Sequence, residues 1–244
     1  MSLPLLWPDW PVPANVHAVV STRAGGVSRG PYASLNLGSH VGDDPAAVAE
    51  NRRRFCVAAA LGHAPGWLNQ VHGCGVVRAP VRDGVTADAC WTQTPGVPCA
   101  VMTADCLPVL FADRDGSCVA AAHAGWRGLA DGVLEATVAG LPVPASQLMA
   151  WMGPAIGPQA FQVGNEVRAA FVTQAAEDAA AFVADGARWR ADLFALARAR
   201  LARCGVTAIY GGGRCTVSEP EQFFSHRRDG ISGRFASVIQ LVEK

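Results

Sequence analysis

Apolar and polar positions fall into two regimes along the chain. Residues 16–22 (Val-His-Ala-Val-Val-Ser-Thr) are apolar and β-branched, the composition of a strand. Asp43-Asp44-Pro45 then supplies a helix cap with proline in the first turn, and helical character continues to about Leu61. Residues 67–71 and 75–79 are predicted as two short strands separated by a turn that carries His72. Residues 98–111 and 117–122 are almost uninterrupted apolar runs, the pattern of strands covered on both faces. A helical pattern over 127–141 is broken at Gly132, and a strand at 148–151 leads into the rigid loop Gly153-Pro154-Ala155-Ile156-Gly157-Pro158. Helices are predicted over 165–175 and 187–203, then strands over 207–210 and 236–242. No repeat, linker or break in composition interrupts the pattern, which predicts one α/β domain over residues 1–244. The order of its strands is not contained in the pattern.

Composition narrows the chemistry. Of 20 basic residues, one is a lysine, Lys244, so no internal lysine is available for a Schiff base, a pyridoxal-phosphate enzyme or a P-loop. The formal charge of zero argues against a nucleic-acid partner. The N-terminus lacks the basic and long apolar regions of a signal peptide, and residues 98–112, interrupted by Thr103 and Asp105, fall short of a membrane span. Eight cysteines without a CxxC pair are expected to stay reduced, in a soluble cytoplasmic protein.

Three segments set potential metal ligands at the ends of apolar strands: Asn69-Gln70-Val71-His72-Gly73, Thr103-Ala104-Asp105-Cys106-Leu107-Pro108 and Ala122-His123-Ala124-Gly125-Trp126-Arg127-Gly128. Two imidazoles and a thiolate give zinc three protein ligands and leave a fourth position for water, the composition of a catalytic site. The metal lowers the pKa of that water toward neutrality and makes it a nucleophile. Other roles fit the same residues: a buried hydrophobe for Cys106, a satisfied core histidine for His123, a turn position for His72. Asp105 is harder to assign to structure, because an acid inside an apolar run requires a partner. It is expected either to orient a ligand histidine or to move protons. Gly125 and Gly128 around Arg127 point to close backbone approach in an environment suited to anions. Arg23, Arg227 and Arg228 suit phosphate or carboxylate. Surface pairing of Arg227 or Arg228 with Asp229 or Glu221 is the competing expectation, since adjacent arginines on a strand point opposite ways.

Together these segments resemble the multicopper polyphenol oxidase, or laccase-domain, family, which is linked to purine nucleoside phosphorolysis. The matching stretches are Ser21-Thr22-Arg23, Gly30-Pro31-Tyr32-Ala33-Ser34-Leu35-Asn36-Leu37-Gly38, the three ligand segments, the 153–158 loop and Phe223-Phe224-Ser225-His226-Arg227-Arg228-Asp229-Gly230, in the family's order over nearly the whole chain. The resemblance implies a single domain of the α+β type, with mixed β-sheets packed between helices. It makes His72, Cys106 and His123 the metal ligands, with Asp105, Cys106 and His123 as catalytic residues. Arg23, Asn36, Gln70, Arg127 and Arg228 are the candidate substrate-binding residues. The implied activities are zinc-dependent phosphorolysis of adenosine, inosine, guanosine and methylthioadenosine and deamination of adenosine, in a monomer or homodimer. Some bacterial members are described instead as editing cytoplasmic peptidoglycan precursors. Gln162 stands where many relatives carry glutamate, and His226 where they often carry tyrosine.

Counting histidines tests the oxidase label. A relay of several coppers needs imidazoles for each, and only two of the six histidines lie in ligand motifs. The count leaves one His2Cys site; the resemblance makes Zn2+ its metal, and such ligands can also take up Cu2+ in vitro, because copper outcompetes zinc for them. A cysteine hydrolase using Cys106 with His72 or His123 as base, and a metal-stabilised partner-binding protein, remain alternatives built on the same residues.

Overall fold

The computed structural model describes residues 3–243; Met1, Ser2 and Lys244, and with them part of the reading of the N-terminus and of the lone lysine, lie outside the described residues. In chain order the strands are β1 (Leu5–Leu6), β2 (Val16–Ser21), β3 (Val76–Arg78), β4 (Ala89–Thr92), β5 (Cys99–Thr103), β6 (Leu107–Asp113), β7 (Val119–Ala124), β8 (Leu148–Met152), β9 (Gln162–Val163), β10 (Phe182–Asp185), β11 (Arg188–Ala191), β12 (Ala208–Gly211) and β13 (Phe235–Leu241). The helices are α1 (Pro45–Ala58), α2 (Trp126–Asp131), α3 (Val133–Gly140), α4 (Asn165–Val172), α5 (Leu193–Arg203) and α6 (His226–Asp229).

The apolar runs form the middle of a layered α+β architecture. One sheet has the order β12-β8-β6-β7-β4-β3 and mixes parallel pairs at its two edges with antiparallel pairs at its centre. A second sheet, β1-β2-β13-β5, faces it across a core of Val101, Leu110, Ala121, Trp151, Phe235 and Ile239. The outer face of the second sheet is covered by Phe55 of α1. On the far side of the first sheet, α2–α5 and the small sheet β10-β11-β9 bury Leu129, Leu134, Phe171, Leu196 and Leu201. Every residue of β5, β6 and β7 is buried, as expected for strands covered on both faces.

Local signals explain the helices. Asp44 accepts a hydrogen bond from the Ala46 amide at 3.0 Å and caps α1, with Pro45 in the first turn. Gly132, at φ 99°, divides the 126–140 segment into α2 and α3, a backbone angle that glycine adopts without strain.

Three expectations are corrected. Residues 98–111 are two strands in different sheets, because Asp105 at φ 91° turns the chain between β5 and β6. Residues 67–71 form only an isolated bridge from Asn69 to Thr86. The helix predicted over 187–203 begins at Leu193, and its first residues are strand β11, hairpinned with β10 around Gly186 at φ 62°. There a glycine turn and a capping Asp192, which accepts from Phe194 and Ala195, outweigh alanine's helix propensity. All eight cysteines are free thiols. Among the described residues no helix is long and apolar enough to cross a membrane.

Candidate metal centre

Strand pairing brings the three ligand segments to one end of the central sheet. Pro108 of β6 pairs with His123 of β7, which places Cys106, two residues before it, beside the residues that follow His123. The His72 turn reaches the same place from the β3 side, and α2 packs directly on it. A Cβ on Gly128 would stand 2.8 Å from the Gly73 carbonyl oxygen. Gly125 is equally confined, since a Cβ there would meet Cys106 Sγ and His72 Cδ2, each at 2.8 Å. The close approach expected at these glycines serves the ligand cluster itself.

The donor atoms of His72, Cys106 and His123 lie within 4.8 Å of one another, and Cys106 Sγ is 3.6 Å from His72 Nε2. Donors of a tetrahedral zinc, at about 2.0 Å for nitrogen and 2.3 Å for sulfur, stand about 3.3–3.5 Å apart. The rings of His72 and His123 meet edge to face with centroids 4.8 Å apart. His123 is buried, Cys106 half-buried and His72 exposed, so the cluster opens to solvent on the His72 side. The three side chains fit a metal ion, and among the described residues no other set of three or more potential ligands comes together.

A residue outside the sequence expectations holds this arrangement. Asp88, fully buried just before β4, accepts His123 Nδ1–H at 2.8 Å, leaving Nε2 as that ring's free donor atom. The same carboxylate accepts the amides of Val71 at 3.2 Å, His72 at 2.9 Å and Gly73 at 2.7 Å. Three consecutive N–H groups thus wrap one carboxylate, the concave arrangement in which backbone binds anions. It keeps His72 at φ 61°, a conformation uncommon outside glycine. Burial alone would raise the Asp88 carboxyl, but the bonds from His123, Gly73 and Val71 hold it below the usual carboxylate value. An acid between Ala87 and Ala89 carries the same signal that drew attention to Asp105.

Electrostatics bind thiol and imidazole together. Burial raises a thiol, yet His123 foremost, with His72, brings Cys106 down to about 6. Burial lowers an imidazole, yet Cys106 and Asp88 carry His123 up to about 9.

The other expected site residues are mostly engaged by the protein. Asp105 orients no histidine: it accepts from Thr216 Oγ1 at 2.5 Å and from the Arg227 amide at 2.6 Å. Gln70 pairs with both backbone groups of Met102, at 2.8 Å each. Buried Asn36 bonds Gly38, Asp43 and the Arg234 amide. Arg23 donates to the carbonyls of Ala33 and Pro220. Arg228 forms a two-pronged pair with Asp229, at 2.8 and 2.7 Å, and also donates to Thr216 and Phe223 carbonyls. Arg227 donates to the Ala160 and Gln162 carbonyls. Arg127, exposed on α2, only stacks on Trp126, 4.5 Å from the ring centre.

Comparison with known proteins places the chain among relatives of the same length and fold. A purine nucleoside phosphorylase of Pseudomonas aeruginosa is 58% identical over 238 residues, spanning 97% of this chain and 98% of its own. The purine nucleoside phosphorylase YfiH of Escherichia coli is 54% identical over 240 residues, 98% of this chain and 99% of its own. Among solved structures, a Neisseria meningitidis protein superposes with a TM-score of 0.95 at 53% identity, covering 98% of this chain and 99% of its own. YlmD from Geobacillus stearothermophilus gives 0.86 at 32% identity, covering 94% and 93%. The model of the multi-copper polyphenol oxidoreductase laccase family matches residues 17–242, and the chain belongs to that family.

Proposed function

We propose that this protein is a zinc-dependent purine nucleoside phosphorylase, acting on adenosine, inosine, guanosine and methylthioadenosine, and that it also deaminates adenosine. The supporting observation is a three-donor cluster of His72, Cys106 and His123, open to solvent and fixed by Asp88, in a chain 58% identical to a relative named for that activity. A single ligand set among the described residues also favours one-metal chemistry over a relay of coppers.

A bound zinc supplies Lewis acidity and a lowered pKa for water at the cluster's open position. The chain's own residues set the geometry. Asp88 fixes the tautomer of His123 and the turn that carries His72, so the donors are placed before any metal arrives. In phosphorolysis a phosphate oxygen bonds to C1′ of the ribose as the C1′–N9 bond breaks, and the base leaves with that electron pair and takes up a proton. Arg127, exposed and without a hydrogen-bond partner among the described residues, is free to meet substrate. Asp105 is the proton carrier for deamination in this reading, and its bonds to Thr216 and Arg227 fix the turn that presents Cys106.

Chromatography of adenosine and inosine incubated with zinc-loaded protein and phosphate tests the proposal. Free base and ribose 1-phosphate are expected, with inosine as the second product from adenosine. Unchanged nucleosides, or full activity in His123→Ala, would overturn it.

One observation favours a second reading. Cys106 Sγ lies 3.6 Å from His72 Nε2, the relation of a nucleophile to its base in a cysteine hydrolase. Metal-free protein that retains full activity until Cys106 is alkylated would support that reading against the zinc enzyme.

A further inference from the structure

The phosphorolysis reading requires a group that holds phosphate, and most of the motif arginines are already bonded to the protein. Arg234 differs from them in its setting. It lies one residue before β13, whose Phe235 pairs with Thr103 at the end of β5. The register therefore sets Arg234 across from the turn Ala104-Asp105-Cys106.

Its stem is built into place. The Arg234 amide donates to Oδ1 of buried Asn36 at 2.8 Å, and the same oxygen accepts the Gly38 amide at 2.9 Å. A Cβ on Gly38 would stand 2.8 Å from Arg234 Cγ, so the absent side chain makes the channel through which the arginine passes. At the tip, Nη1 donates to the carbonyls of Ser232 and Gly233, at 2.9 and 3.0 Å, and to Ser232 Oγ at 3.3 Å. Nε and Nη2, the other two corners of the guanidinium, have no protein partner among the described residues. One corner of the fork is thus clamped and the others are left to a ligand, the arrangement in which arginine takes two oxygens of an oxyanion.

The charges around it describe the same space. Burial lowers the Arg234 guanidinium, while Cys106, Asp105 and Tyr32 raise it. His40, on the loop beyond Gly38, is held down by burial and then by Arg234, Arg52, His123 and His72. Arg52 itself is engaged, donating to the Leu37 carbonyl at 2.9 Å and pairing with Asp83 at 3.5 Å.

We propose that Arg234 is the phosphate-holding residue of the site, presenting Nε and Nη2 to the oxyanion beside the His72–Cys106–His123 cluster. This rests on the phosphorylase reading above. The protein supplies the anion's counter-charge from a pre-set arginine whose position is fixed by Asn36 and Gly38, which gives those two residues a role behind the site.

Steady-state phosphorolysis of inosine at varied inorganic phosphate, by the full-length zinc-loaded protein and by Arg234→Gln, tests the assignment. The KM for phosphate is expected to rise about tenfold or more, and the KM for inosine less than threefold. Arg234→Lys keeps stem and charge but loses the fork, and is expected to fall between the two. An unchanged KM for phosphate in either variant overturns the proposal. Failure of the phosphorylase reading looks different, because the wild type then releases no base. The anion site is then judged by melting temperature alone. Stabilisation by inorganic phosphate in the wild type that is lost in Arg234→Gln and reduced in Arg234→Lys supports it. Equal stabilisation in all three, or none in the wild type, overturns it.

Discussion

At the scale of single residues, the centre depends on Asp88 more than on any acid that its sequence neighbourhood advertises. One carboxylate satisfies three amides and an imidazole, so replacing it disturbs both histidine ligands at once. Asp88→Asn is expected to weaken metal binding about 10- to 100-fold, the cost of losing a carboxylate that orients a ligand histidine; competition against a chromophoric chelator measures it. Asp88→Ala leaves the buried His123 imidazole and three half-buried turn amides without their acceptor and is expected to cost about 1–3 kcal/mol in denaturant unfolding. Cys106 gives a pH signature in metal-free protein. Its thiolate is favoured by His123 and His72, so iodoacetamide labelling should reach half its plateau rate near pH 6, where an ordinary thiol is almost fully protonated. Cys56, raised by burial, serves as the internal control and labels only at higher pH. His123→Gln removes the main downward influence and should move the Cys106 midpoint up by more than one pH unit, as peptide mass spectrometry would show. His72, Cys106 and His123 were legible in the sequence because unusual ligand types stood at the ends of apolar runs. Asp88 carries a comparable signal, an acid between two alanines, but lies in a stretch whose pattern predicts no strand.

At the scale of elements, the same physics separates what the pattern revealed from what it concealed. Helix α1 was readable from Asp44-Pro45, and the α2–α3 break from Gly132, because caps and glycine act locally. The division of residues 98–111 was not, because both halves are equally apolar and only the tertiary turn at Asp105 sends them to different sheets. The β10–β11 hairpin was masked by alanines that favour a helix in isolation. Helix α2 contributes to the centre through what its first turn lacks. Gly125 has φ −61° and ψ 156°, angles that alanine adopts freely, so Gly125→Ala acts through space alone. It is expected to cut metal affinity at least tenfold while moving the melting temperature of metal-free protein by only a few degrees. Asp44→Ala, which removes the cap of a helix that supplies no ligand, is the complementary case: about 1 kcal/mol of stability lost with the cap and metal affinity unchanged.

At the scale of the whole molecule, bound metal adds to folding stability by mass action. At free metal about 100-fold above its Kd the gain is about 2.7 kcal/mol, which for a chain of this size raises the melting temperature by about 5–10 °C. Differential scanning calorimetry with and without chelator should show that interval, and His123→Ala should abolish it. The turn holding Cys106 joins a strand of one sheet to a strand of the other, and 34 residues separate it from His72. The ligand set exists only once β6 has paired with β7 and the His72 turn has docked on α2, contacts between segments distant in sequence, so its assembly is expected late on the folding route. Metal should then leave the refolding rate unchanged and slow unfolding, visible as a shift confined to one limb of a denaturant chevron. The ion would act as a latch on a finished fold, lengthening the lifetime of the native state without hastening its arrival.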